Sequence, residues 1–169
     1  MSRLILAAFL LASLSFAQEG PDFSGNWTVD ADKSDDGEAL ILGGFGDPNR
    51  MKPEDRRTAE RLIELVRSLD AIEIRQGPGD IRLYDEADNV RIYYIDGKKH
   101  TRETPWGDRL ETVTKWEASE LHVRTDGKDL GEIEEIYAME AGQLVYTVKV
   151  LLGDAKDEVA IRTYYSRAE

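Results

Sequence analysis

Beyond about Ala71 the chain is a succession of short runs in which apolar and polar residues alternate: AIEIRQ, IRLYD, NVRIYYI, KKHTRET, RLETVTKW, ELHVRT, EIEEIYAM, QLVYTVKVLL and VAIRTYYSR. A period of two marks strands with one buried face, and the Gly, Asp and Asn clusters between the runs are turn chemistry. Nine strands are therefore expected here, and FSGNWTVD near residue 23 supplies a tenth. Between the first strand and the rest the period changes. Ala59, Leu62, Ile63, Val66 and Leu69 recur at helical spacing behind Pro53, Glu54 and Asp55, which suit the positive end of a helix, and Arg67 suits its last turn. The stretch EALILGGFGDPNR before this helix has no clean period and reads as a loop or a weak helical turn.

Successive strand residues face opposite ways, so parity sorts the inside from the outside. The inward sets are Phe23/Gly25/Trp27/Val29, Val90/Ile92/Tyr94, Leu110/Thr112/Thr114/Trp116, Leu121/Val123, Leu144/Tyr146/Val148/Val150 and Val159/Ile161/Thr163/Tyr165. Strands with one apolar face and no covering layer bury it by closing on themselves. The expected fold is all-β: an antiparallel up-and-down barrel of about 8–10 strands with a helical segment between the first and second. If the first and last strands close the ring, Trp27 meets Arg167, a guanidinium over an indole. Gly25 then lets the backbone come close, and Trp27 plugs that end.

Composition narrows the partners. With 34 acidic against 22 basic residues the net charge is −12, which repels phosphate backbones and anionic membrane surfaces. No cysteine is present, so burial alone must hold the fold. Residues 1–17, MSRLILAAFLLASLSFA, read as a signal peptide: Arg3, an apolar run from Leu4 to Leu14 too short to span a bilayer, and small residues at Ser15-Phe16-Ala17. Residues 18–169 are then one exported domain, periplasmic or secreted, soluble after cleavage and monomeric.

Within such a barrel Tyr94, Thr112, Thr114, Trp116, Tyr146 and Tyr165 leave a partly polar interior that suits a small ligand. Glu135 shares parity with Ile133, Tyr137 and Met139. Placed inside, it needs a partner such as Arg102 or His100 and would anchor a ligand. A bulge between Glu134 and Ile136, turning both glutamates outward, is the cheaper arrangement. No nucleophile, metal-ligand spacing or cofactor motif stands out: His122 reads as a surface histidine, and the strand of His100 has no assignable parity. The acidic stretches DADKSDD and DEAD read as solvated turns.

The pairing of FSGNW with a closing YSR at Tyr165 to Arg167 resembles the calycins, the superfamily of lipocalins and intracellular fatty-acid-binding proteins. Helices followed by nine strands are most similar to the fatty-acid-binding branch. Phe23 to Trp27, Lys33-Ser34 and Asp96 to Lys98 also resemble small exported bacterial lipocalin-like proteins. The resemblance implies a non-enzymatic barrel holding a small hydrophobic molecule. It also implies a last-strand Arg-x-Tyr carboxylate clamp, which Arg162 and Tyr164 match in spacing. Parity turns both outward, because placing them inside would expel Val159, Ile161 and Tyr165 at ~1.5–3 kcal/mol for each large apolar side chain. The alternative function is an interaction or structural module with a filled barrel and an acidic surface, its contact formed by an exposed Leu40-Ile41-Leu42-Phe45 patch.

Overall fold

A computed structural model describes residues 20–168 except 48, 68, 105, 128–129 and 153–156; the expected signal peptide lies outside them. Ten antiparallel strands form one sheet: β1 (Gly25–Val29), β2 (Ala71–Gln76), β3 (Asp80–Tyr84), β4 (Val90–Tyr94), β5 (Lys99–Glu103), β6 (Arg109–Glu117), β7 (Glu120–Asp126), β8 (Glu132–Glu140), β9 (Gln143–Leu152) and β10 (Asp157–Arg167). Helices α1 (Gly37–Gly44) and α2 (Pro53–Val66) lie between β1 and β2. The sheet order is β4-β3-β2-β1-β10-β9-β8-β7-β6-β5, so each strand pairs with its chain neighbour and β1 joins β10. Among the described residues, no ladder joins β4 to β5; the wall there is a seam, crossed by the approach of β4 to β6 and by the Gly97 amide donating to the Thr114 carbonyl at 3.2 Å.

The closure has the register that the two ends of the chain imply. Trp27 lies opposite Arg167, with the guanidinium 4.7 Å from the ring centroid. The indole Nε1 donates to the Phe23 carbonyl at 2.8 Å, and Trp27 is buried. Gly25 has φ +138°, and an added Cβ would meet Arg167 Nη1 at 2.9 Å. The backbone conformation favours glycine here, and the absence of a Cβ leaves the tip of the arginine free to lie over the tryptophan. Because Arg167 is solvent-exposed, Arg167→Ala is expected to lower stability by only ~0.5–1 kcal/mol. Urea denaturation followed by tryptophan fluorescence checks this; a loss beyond that range would mean the arginine holds more than the indole.

The stretch read as a loop or a weak helical turn holds the helix α1 in its first half. Asp36 caps it, its carboxylate accepting from the Ala39 amide at 3.0 Å, and Ile41 is buried. A Cβ at Gly44 would run into Leu152 of β9, so the glycine permits a close approach that periodicity alone does not reveal. Helix α2 starts at Pro53 and buries Ala59, Leu62, Leu65 and Val66. It ends at Val66 rather than reaching Leu69, with Arg67 just beyond its last turn. Together the helices cover the end of the barrel where β9 and β10 meet. Arg61 of α2 also reaches the β5–β6 connection, 3.9 Å from Asp108 and over the Trp106 ring.

Candidate functional site

Cross-strand partners in an antiparallel ladder share a face, so the apolar strands decide where the polar ones point. Leu83 and Ile81 of β3 are buried and lie opposite Arg91 and Tyr93 of β4. That register turns Arg91 and Tyr93 inward and puts Val90, Ile92 and Tyr94 outside, at 46%, 39% and 44% exposure. The expected inward set on β4 is thus reversed, and Tyr94 is not an interior ligand residue; its ring lies 4.6 Å from that of His100. On β5, Arg102 lies opposite buried Leu110, which draws it toward the interior. Strand β8 runs in unbroken register with both neighbours from Ile133 through Tyr137, without the bulge that would have turned Glu135 out. Glu135 is 1% exposed.

These strands bring six side chains to one point. Glu135 Oε1 accepts from the hydroxyls of Tyr146 at 2.9 Å and Tyr93 at 3.1 Å. Its Oε2 accepts from Arg102 Nη1 at 3.0 Å, and Arg91 Nη1 is 3.9 Å from Oε1. Arg102 Nη1 also reaches the Tyr93 hydroxyl at 3.3 Å. The Tyr93 and Tyr137 hydroxyls are 3.4 Å apart. The rings of Tyr137 and Tyr146 pack at 4.8 Å and those of Tyr93 and Tyr137 at 6.0 Å, filling the middle of the barrel.

The electrostatics follow from burial and pairing. Desolvation pushes the Glu135 carboxyl up, but Arg102 and Arg91, with the hydrogen bonds from Tyr146 and Tyr93, outweigh it and hold the group below the ordinary carboxylate value. Burial and the nearby carboxylate push Tyr93 up, and burial with neighbouring groups pushes Tyr137 and Tyr146 well up, so all three phenols stay neutral. Burial works against the charge on both arginines. The surrounding carboxylate and phenols nevertheless raise their pKa, so both remain guanidinium ions.

The other expected interior residues do not join this cluster. Thr112 is buried and pairs with Thr125 across β6 and β7, their hydroxyls 3.2 Å apart, and Thr114 is buried farther along β6. Trp116 packs on Phe23 with ring centroids 5.4 Å apart, and lines a cleft of about 700 Å³ beside Asp22, Ser24, Gln76 and Lys115. Tyr165 is buried beside the backbone of Leu69, and burial pushes its phenol up to about 12. Arg162 and Tyr164 face outward as parity requires, Arg162 binding Glu140 at 2.6 Å. His122 is on the outer face, but its ring is nearly covered, with Glu134 at Nδ1 (3.0 Å) and Glu120 at Nε2 (3.2 Å). Of the seven proposed ligand residues only Glu135 and Tyr146 meet; Arg91 and Tyr93 went unread.

Comparison with known proteins places this geometry. No family model and no curated protein matches the sequence. Among solved structures, the REP1-NXSQ fatty acid transporter aligns over 88% of this chain and 97% of its own at 15% identity, with a TM-score of 0.57. The zebrafish ileal bile acid-binding protein complexed with cholic acid aligns over 86% and 98% at 17% identity, TM-score 0.55. A Schistosoma mansoni fatty acid binding protein in complex with arachidonic acid aligns over 87% and 96% at 15% identity, TM-score 0.57. The fold, an antiparallel barrel of ten strands with two helices between the first and second, is the one that these solved structures share.

Proposed function

We propose that this protein is a monomeric carrier that binds a small, largely apolar molecule in its barrel and performs no chemistry on it. The observation that carries the reading is the hydrogen-bonded cluster around Glu135 in the centre of a barrel whose other buried side chains are mostly apolar. A buried ion pair is seldom more stabilising than well-packed apolar side chains of the same volume, so the fold alone gives little reason for it. A few convergent polar groups in an apolar surround are what orient a guest. The barrels of similar fold include proteins described as binding fatty acids and bile acids, which supports the same class of guest here. Turnover has little to work with: a carboxylate held ionised, its oxygens already accepting from Tyr93, Tyr146 and Arg102, is a poor general acid and an occupied base. Entry of a guest displaces the tyrosine rings, and the seam beside them can part without breaking a ladder.

Export after cleavage behind Ala17 belongs to the same proposal and rests on the sequence of residues 1–17. The test is native mass spectrometry of the protein isolated without denaturant, with displacement of a neutral fluorescent dye by a lipid panel. A bound species of low mass, or displacement at micromolar concentration, is the expected result; a protein that binds no dye and carries nothing overturns the reading. One observation favours the interaction module instead. The Val90, Ile92 and Tyr94 stripe on β4 is exposed. The Leu40-Ile41-Leu42-Phe45 patch does not form that surface, because Ile41 is fully buried.

A further inference from the structure

The charges in the cluster do not balance. Two guanidiniums, Arg91 and Arg102, face one carboxylate, Glu135, and the phenols around them are neutral. In a chain of net charge −12 the barrel thus holds a local positive excess. Hydrogen bonding is unbalanced in the same sense. Arg102 Nη2 is buried and has no hydrogen-bond partner among the described residues, whereas both oxygens of Glu135 are engaged. Such a donor is costly to leave unmet, and the cost falls away when an acceptor arrives.

Access to the cluster is graded. The side chain of Glu135 is 2% exposed, that of Arg102 15% and that of Arg91 33%. Arg91 is on β4 and Arg102 on β5, the two strands that flank the seam. A solute approaching there meets cation first, with the carboxylate sealed behind it. The geometry points to a monoanion site at the β4–β5 seam, where the head group of an amphipathic guest accepts from Arg102 Nη2 and is held by the charge of Arg91. The inference rests on the binding reading above and adds the charge of the guest and the position of its head. It also places the head away from the last-strand Arg-x-Tyr pair, which faces solvent with Arg162 tied to Glu140.

The test compares dodecanoate, dodecan-1-ol and dodecylamine, which share a chain and differ in the head group, by titration calorimetry on the purified protein. Dodecanoate should bind about 10- to 100-fold more tightly than the alcohol, the ratio that one charge-assisted hydrogen bond represents, and the amine most weakly. In the triple variant Arg91→Met, Arg102→Met and Glu135→Leu, which removes both cations and their counter-charge together, the carboxylate-to-alcohol ratio should collapse toward one. A measurement on the unaltered protein stands beside it. The carboxyl carbon of bound [1-13C]dodecanoate should remain in its ionised form at pH values where the free acid is protonated. Equal affinity for carboxylate and alcohol, a ratio unchanged in the triple variant, or a bound carboxyl that titrates as it does in water overturns the anion site while leaving the carrier reading intact. Failure of all three guests to bind overturns both.

Discussion

Glu135→Gln is expected to destabilise the fold by ~3–5 kcal/mol, the typical loss when one partner of a buried ion pair is removed and the other is left without its counter-charge. Glutamine preserves the shape and can still accept from Tyr93 and Tyr146. What disappears is the charge that offsets Arg102 and Arg91, and among the described residues no other carboxylate forms an ion pair with them. Urea denaturation at neutral pH measures the effect. The companion change Glu134→Gln, on the outer face beside Arg124, His122 and Lys149, should cost no more than ~1 kcal/mol, because partly exposed pairs contribute little. If the two glutamines cost the same, Glu135 is not ionised in the fold. The acid side has the same origin. A carboxyl whose folded pKa is depressed contributes stability that is present above its unfolded value, 4.5, and is lost as pH falls through the folded one. Glu135 therefore supports the fold fully at neutral pH and progressively less under acid.

The second large effect lies at the alkaline end. Tyr93, Tyr137, Tyr146 and Tyr165 are all raised above the ordinary value of 10.0, the last to about 12. A group whose folded pKa is raised contributes stability that is complete below its unfolded value and is lost as pH climbs through the folded one. Above pH 10 the unfolded chain sheds phenolic protons that the folded chain keeps, so each buried tyrosine removes ~1.4 kcal/mol of stability per pH unit. Tyr165 alone removes ~2–3 kcal/mol between pH 10.0 and about 12, and the three clustered phenols act in the same direction. The expected result is a cooperative alkaline unfolding in that window, with phenolate absorbance rising together with loss of the far-ultraviolet β signal. A fold that persists while all seven tyrosines titrate freely would mean that the buried phenols meet water.

The barrel was legible because its strongest signals are redundant. Strands β6, β7, β9 and β10 have one clearly apolar parity, and each lies face to face with the expected inward residues of its neighbour. Closure was legible because Gly25, Trp27 and Arg167 state one contact from both ends of the chain. The polar cluster was not, for a local reason. In NVRIYYI both parities carry an isoleucine and a tyrosine or a valine, so alternation alone has nothing to choose between, and the more apolar set is the wrong one. The deciding signal was in the adjoining hairpin. Tyr84 pairs with Val90 across the Asp85–Asn89 loop, so the unambiguous Ile81 and Leu83 place Tyr93 and Arg91 opposite themselves and inside. The same propagation from Leu110 to Arg102 assigns β5. Glu135 reads as an unwelcome interior charge until both arginines are placed, and then the bulge that would have expelled it is unnecessary.

The missing ladder between β4 and β5 has a topological consequence. Because β1 and β10 lie side by side, with the Ala168 amide bonded to the Asn26 carbonyl at 2.9 Å, the first and last strands meet in the interior of the sheet. Its two free margins instead face each other across the short turn around Gly97. Read from β5 through β10 and on through β1 to β4, the strands follow one another in unbroken spatial sequence. The ten strands thus form a linear zigzag ribbon with β1 and β10, the first and last in chain order, near its middle. Among the described residues β1 with β10 is the one pairing between strands that are not consecutive in the chain, and a circularly permuted chain opened at Gly97 would contain only pairings between consecutive strands.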